Sequence, residues 1–201
     1  MSFAEEYYQP AFVPKRIETE RLILKKMGYS YAEEYYFLEK EGMEKHLAPY
    51  SPVKELPKSD SEGIRNMKEA ILFSEDRWEA GIDYRFLITE KESKKVIGQI
   101  SITNIIRGVA QSAFVGYWIG FEYQNKGYIT EAANAIFTFA FETLKLHRLS
   151  LWIATENEAS LRVAEKLGLR YEGIAERALH LGGKWLDTKI YAITKEEWVL
   201  R

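Results

Sequence analysis

The chain has 201 residues, 28 basic against 30 acidic side chains, a formal net charge of −2, three histidines and no cysteine. That length supports one domain with its own core, and the missing cysteines exclude disulfide staples, thiolate metal sites and a cysteine nucleophile while suiting a reducing compartment. Scattered His46, His147 and His180 argue against a metal site, and near-balanced charge without a basic stripe argues against nucleic acid as a partner.

Met1-Ser2-Phe3-Ala4-Glu5-Glu6 carries acids where a signal peptide would be basic and then apolar. No apolar run approaches the ~20 residues of a membrane span. A cytoplasmic protein with no membrane partner is expected. Residues 1–16, with Pro10 and Pro14, read as an N-terminal arm, and residues 17–201 as a single domain.

Arg21-Leu22-Ile23-Leu24-Lys25 predicts a first strand. Helical spacing (Ala32, Tyr35, Tyr36, Leu38) predicts a helix from Tyr29 to Glu41, stopping at Gly42. Pro49, Pro52 and Pro57 predict a loop. Ile64, Met67, Ile71 and Leu72 place a second helix over about Asp60 to Ala80. Three strand-like runs follow, Tyr84 to Thr89, Lys95 to Ile102 and Ala113 to Ile119. Ala132, Ala133, Ile136, Ala140 and Leu144 mark an amphipathic helix of about five turns. Leu149 to Ala154 reads as a buried strand, and Asn157 as the N-cap of a helix from Glu158 to Leu167. Gly182-Gly183 fits a two-residue hairpin turn between Leu169–Leu181 and Lys184–Thr194.

The most informative segment joins the third of those strand runs to the long helix: Tyr117-Trp118-Ile119-Gly120-Phe121-Glu122-Tyr123-Gln124-Asn125-Lys126-Gly127-Tyr128-Ile129-Thr130. A strand, a short polar loop with a glycine and a helix N-terminus together offer free backbone N–H groups to a phosphate. Gln124-x-x-Gly127 is a common tetrapeptide and equally describes an ordinary loop. It is neither a P-loop nor a dinucleotide fingerprint, and the chain has no Gly-x-Ser-x-Gly elbow.

In context this segment, followed by a strand and then Asn157-Glu158-Ala159-Ser160, resembles the acetyl-CoA-dependent N-acetyltransferase (GNAT) superfamily, whose signature is Gln/Arg-x-x-Gly-x-Gly/Ala. Within it the chain is similar to the RimJ branch of ribosomal-protein N-terminal alanine acetyltransferases. Thr19-Glu20-Arg21-Leu22-Ile23-Leu24, His46-Leu47-Ala48-Pro49-Tyr50, Thr103-Asn104-Ile105-Ile106-Arg107-Gly108, Val115-Gly116-Tyr117-Trp118-Ile119-Gly120 and Leu146-His147-Arg148-Leu149 carry the likeness, as does the closing hairpin. Ile129 departs from the signature at a position that Rim-type members relax.

The resemblance implies an α/β GNAT fold: a mixed, largely antiparallel sheet with a V-shaped split, and helices on both faces. It puts the pyrophosphate of acetyl-CoA on the N–H groups of Gln124, Asn125, Lys126, Gly127, Tyr128, Ile129 and Thr130, where a Cβ at residue 127 would block the approach. Pantetheine would pair with the backbone of Tyr117, Trp118 and Ile119, and an N–H there would hold the oxyanion. Asn157 is implied on the pantetheine arm, and Ser160 as the general acid on the departing sulfur. Their plain readings are a helix cap and an exposed helix hydroxyl. No metal is implied.

The general base is missing from its usual places. Phe114 stands where many relatives have a glutamate, and Leu179 where RimL-type enzymes have one; Glu122, Glu156 and Glu172 are weaker candidates. An α-amine of pKa ~7.7–8.0 is already ~10–15% neutral at pH 7, against ~0.04% for a lysine, so it needs less help from a base. That leans toward a protein N-terminus as acceptor, as the likeness also does.

Tyr7-Tyr8 and Tyr35-Tyr36-Phe37 suit core packing or an acceptor groove, Asn104 and Arg107 are candidate acceptor-binding residues, and Glu39 to Glu44 reads as charged surface. Two other functions remain open: acetylation of a small amine (a polyamine, amino acid or antibiotic), and a non-catalytic acyl-CoA-binding module. The residues specify no oligomeric state.

Overall fold

The computed structural model describes residue 8, residues 10–52 and residues 55–200. Tyr7, one of the aromatic residues singled out above, lies outside them. In chain order the elements are β1 (Arg16–Glu18), β2 (Leu22–Lys26), α1 (Ala32–Gly42), α2 (Asp60–Glu79), β3 (Tyr84–Glu90), β4 (Val96–Ile106) and β5 (Ser112–Ile119). Then come α3 (Tyr128–Thr138), β6 (Arg148–Ala154), α4 (Glu158–Lys166), β7 (Arg170–Leu181), β8 (Lys184–Thr194) and α5 (Lys195–Val199). The predicted order holds. The structure adds β1, which pairs Ile17 with Leu24 at the sheet edge, and the short α5, opened by a Thr194/Glu197 capping box.

The described strands form one eight-stranded sheet in the order β1-β2-β3-β4-β5-β6-β8-β7. Every pairing is antiparallel except β5 with β6. Those two central strands touch only at their start, through Ser112–Arg148, Ala113–Leu149 and Phe114–Ser150. Beyond that, β5 stays zipped to β4 as far as Ile119 and β6 to β8 as far as Ala154. Each strand follows its own neighbour, and the right-handed sheet twist carries them apart. Phe114 and Trp152 meet edge to face at the fork, with centroids 5.4 Å apart.

Helices cover both faces. On one, α3 buries Ala132, Ala133, Ile136 and Phe137 against Leu24, Ile88, Ile100 and Ile102, joined by Leu161 and Ala164 of α4. α3 runs on through a π-helical turn, Phe139–Thr143, which keeps Ala140 and Leu144 in the same core. On the other face, Tyr35 and Tyr36 of α1 and Met67 and Ile71 of α2 pack over Leu87, Val96 and Trp118. The two helices meet where Gly63 lies flat against the Tyr36 ring; a Cβ there would sit 2.1 Å from a ring carbon. The Tyr36 hydroxyl donates to Asp60 at 2.9 Å.

Candidate active site

Where β5 ends, Gly120 and a short 3-10 turn (Phe121–Tyr123) lead into the loop before α3. Asn125 and Gly127 both adopt left-handed backbone, at φ 60° and 80°. A Cβ on residue 127 would lie 3.5 Å from Arg21, an ordinary contact, so in this fold glycine answers first to the backbone angle. The first backbone bond of α3 is Glu131 N–H to the Gly127 carbonyl at 3.0 Å. The N–H groups of Gly127, Tyr128, Ile129 and Thr130 therefore have no acceptor within the helix, and they line the split together with Gln124 and Asn125. Ile129 is buried, with its side chain in the core, which explains how the site accommodates a residue larger than the signature's Gly or Ala.

A clamp fixes this cradle. Arg21, one residue ahead of β2, donates through Nε to Glu131 at 2.7 Å and through Nη1 to the Lys126 carbonyl at 2.9 Å. Its guanidinium also lies 4.6 Å over the Tyr128 ring. Glu131 further accepts from the Arg21 N–H and the Thr19 hydroxyl. Burial alone would raise the Glu131 carboxyl, but these bonds hold it below its ordinary value.

The free edge of β5 faces the split. Gly120 N–H donates to the Ile97 carbonyl at 2.8 Å, and Gly98 lies opposite Ile119. By the alternation of an antiparallel ladder, the N–H and C=O groups of Tyr117 and Ile119 then point away from β4. His46 uses one of them: its Nε2 donates to the Ile119 carbonyl at 2.9 Å. That bond sets the tautomer. Burial pulls the imidazole below its usual pKa even though the carbonyl bond favours the proton. Trp118, between these residues, turns to the opposite sheet face and donates through Nε1 to the Tyr35 hydroxyl at 3.2 Å.

Across the split, the Asn157 side-chain oxygen accepts from Ser160 N–H at 3.1 Å, so the predicted cap is present. Only the amide nitrogen of Asn157 remains to donate elsewhere. Ser160 lines the cleft, and its carbonyl accepts from the Tyr117 hydroxyl at 3.3 Å. Burial pushes the Tyr117 phenol well up, so it stays protonated.

The whole cleft encloses about 730 Å³. It contains Tyr117, Trp118, Ile119, Gln124, Asn125, Gly127, Tyr128, Ile129, Thr130, Asn157 and Ser160, but three of the binding residues named from the sequence fall outside its lining. Lys126 contributes its carbonyl to Arg21 and sets its ammonium 5.5 Å over the Tyr123 ring. Asn104 occupies an irregular point of β4 at φ 52°, where its N–H turns to Asp83 at 2.8 Å. Arg107 donates to the Leu144 carbonyl at 2.6 Å, just after α3's π-helical extension. Both lie outside the lining of the cleft.

The acids divide similarly. Glu172 is gripped by Arg148 and Arg170, which hold its carboxyl at about 2. Glu122 is exposed and pairs with Lys45 at 3.4 Å. Glu156 stands at the cleft, exposed, with Lys184 3.9 Å away. Leu179 faces Leu186 across the hairpin. Glu39, read from the sequence as part of a charged surface, instead lines the cleft from α1. Its place was legible: it continues the stripe of Ala32, Tyr35 and Tyr36. Among the described residues, no group of three or more His, Cys, Asp or Glu could hold a metal ion, and no helix is long and apolar enough to cross a membrane.

The parted sheet and the unsatisfied N-terminus of α3 together form a cleft suited to an elongated, phosphate-bearing ligand. Residues 21–170 match the acetyltransferase (GNAT) domain family. The chain is 35% identical over 130 residues to the probable N-acetyltransferase YjcK of Bacillus subtilis, covering 65% of this chain and 72% of that protein. It is 27% identical over 195 residues to the [ribosomal protein uS5]-alanine N-acetyltransferase of Escherichia coli, covering 92% and 94%. Mycobacterium smegmatis RimJ in complex with CoA-disulfide superposes with a TM-score of 0.81 at 25% identity, covering 88% of this chain and 83% of that one. The chain belongs to the GNAT acetyltransferase family. It is an N-acetyltransferase whose acetyl donor is acetyl-CoA.

Proposed function

We propose that this protein acetylates the α-amine at the N-terminus of a protein, with a ribosomal protein as the favoured acceptor. The likeness to the uS5-alanine enzyme over 94% of that enzyme's length carries this reading. A cytoplasmic setting goes with it.

In this reading, the free N–H groups of Gly127 to Thr130 receive the pyrophosphate, with Gln124 and Asn125 beside them, where the α3 dipole favours negative charge. The free edge at Tyr117 and Ile119 pairs with the pantetheine amides, and the Asn157 amide reaches the same arm. A β5 N–H holds the thioester oxygen as it gains charge. The neutral amine attacks the carbonyl carbon, the carbon–sulfur bond breaks with its electrons on sulfur, and Ser160 Oγ–H supplies the sulfur's proton; the attacking nitrogen, cationic once bonded, loses one proton to solvent, and solvent returns one to the Ser160 oxygen. No acyl-enzyme forms.

The test is CoA release measured with a panel of peptides bearing free N-termini beside a panel of polyamines, amino acids and aminoglycosides. Turnover of the peptides is expected. Turnover of small amines alone would overturn the protein-acceptor reading, and acetyl-CoA binding with no turnover on any amine would indicate a binding module.

A further inference from the structure

The cleft extends beyond the part assigned above to the donor. Its other half lies between α1 and the sheet face that carries Arg85, Gln99 and Trp118. α1 and the π-helical turn that continues it (Met43–Leu47) present Tyr35, Glu39 and Met43 to this space at four-residue spacing, one stripe of the helix. Two of the three are accounted for locally. The Tyr35 hydroxyl donates to Gln99 at 2.6 Å and accepts from Trp118, while Met43 is apolar and buried.

Glu39 is different. It is partly buried, it faces the cavity, and no hydrogen bond or ion pair reaches its carboxylate among the described residues. Burial pushes its carboxyl up, with nothing to counter it. A half-desolvated carboxylate without a partner costs free energy, and such a group in a cleft marks a place for a cationic ligand. Arg85 on β3 also lines the cleft, and its guanidinium lies 3.9 Å from buried Asp83. His46 is engaged with Ile119. The remaining charged groups, Glu156, Glu158, Arg162 and Lys166, belong to the α4 side.

We propose that Glu39 is the acceptor's docking carboxylate: it binds the incoming primary ammonium and takes one proton from it. This rests on the acetyl-transfer reading above and names the base that reading lacks. One N–H bond of R–NH3+ breaks, its electron pair stays on nitrogen as the nucleophile's lone pair, and the proton forms an O–H bond on Glu39. The acid then returns the proton to solvent through the open cleft.

The test uses the full chain loaded with CoA, an alanine-initiated hexapeptide, its N-acetylated twin and spermidine, comparing wild type with Glu39→Gln and Glu39→Asp. Binding is read by calorimetry and turnover separately by CoA release. Glu39→Gln should weaken the free-amine peptide at least tenfold and lower kcat/KM about 100-fold. Acetyl-CoA affinity should stay within twofold, the N-acetylated peptide should not distinguish the proteins, and Glu39→Asp should recover part of the loss. Equal amine binding and an unchanged pH–rate profile in Glu39→Gln would overturn the proposal. Glu39-dependent binding of spermidine alone would uphold Glu39 and sink the peptide acceptor. No amine binding by wild type would overturn Glu39, whatever the coenzyme result.

Discussion

Arg21 and Glu131, 110 positions apart, are joined by the Arg21 N–H at 2.8 Å and by its Nε at 2.7 Å. The pair ties the start of β2 to the first turn of α3, and Arg21 Nη1 reaches back to the loop at Lys126. The proposed phosphate cradle is thus held from outside its own segment. Arg21→Ala should weaken acetyl-CoA about tenfold, close to 1.4 kcal/mol, with kcat preserved at saturation. Arg21 is partly exposed, so the accompanying loss of stability should be no more than about 1 kcal/mol. Calorimetry and a urea titration measure the two separately; unchanged affinity would mean that the loop holds itself.

Gly127 stands at φ 80°, where an L-residue costs about 1–2 kcal/mol. Gly127→Ala should lower stability by that amount. Gly127→Glu should also place a carboxylate at the proposed anion site and abolish the rise in Tm that acetyl-CoA gives the wild type. Retained protection in Gly127→Glu would move the pyrophosphate elsewhere.

Ser160→Ala removes the hydroxyl proposed to protonate the departing sulfur, while the Ser160 N–H still caps onto Asn157. kcat should fall at least tenfold with acetyl-CoA affinity intact. Unchanged kinetics would leave Ser160 as a helix residue and no more.

Glu172 sits at about 2 in the folded chain, against an ordinary 4.5, because Arg148 and Arg170 stabilise its charged form. A depressed carboxyl contributes stability that is complete above pH 4.5 and is lost as pH falls toward 2. Glu172 is exposed, so solvent screens the pair, and Glu172→Gln should cost about 1 kcal/mol near neutrality and almost nothing at pH 2. Denaturation midpoints across that window give the difference directly. A gap independent of pH would point to packing instead.

Gly63→Ala would drive a methyl group into the Tyr36 ring and push α1 off α2. Overpacking of this kind costs about 1–3 kcal/mol. Since α1 carries Tyr35 and Glu39, the acceptor KM should rise more than the acetyl-CoA KM. Equal effects on both would argue against α1 as the acceptor wall.

Periodicity located the main elements because their apolar stripes are long: Ala132, Ala133, Ile136, Ala140 and Leu144 mark α3 even across its π-helical turn. β1 was missed because three residues at a sheet edge carry no pattern. The loop's place before α3 and the Asn157 cap were readable because helix starts and caps depend on local backbone. The partners of Asn104 and Arg107, Asp83 and the Leu144 carbonyl, are tertiary and left no mark in the sequence. Glu39 was obscured by its acidic neighbours, though its spacing from Tyr35 already put it on the inner face.

Two bonds cross from the loop after α1 to the far wall of the cleft: Gly182 N–H to the Ser51 carbonyl at 2.9 Å, and the Tyr50 hydroxyl to the Glu156 carbonyl at 3.1 Å. At the hairpin turn Gly182 lies so near Pro49 that a Cβ would approach its carbonyl oxygen to 2.7 Å. While these straps stay closed, a broad folded surface cannot settle into the trough from that side. The proposed acceptor, an unstructured chain end, would have to thread past them. Discrimination between a terminus and an internal lysine would then follow from the shape of the passage, with no residue required to recognise the difference.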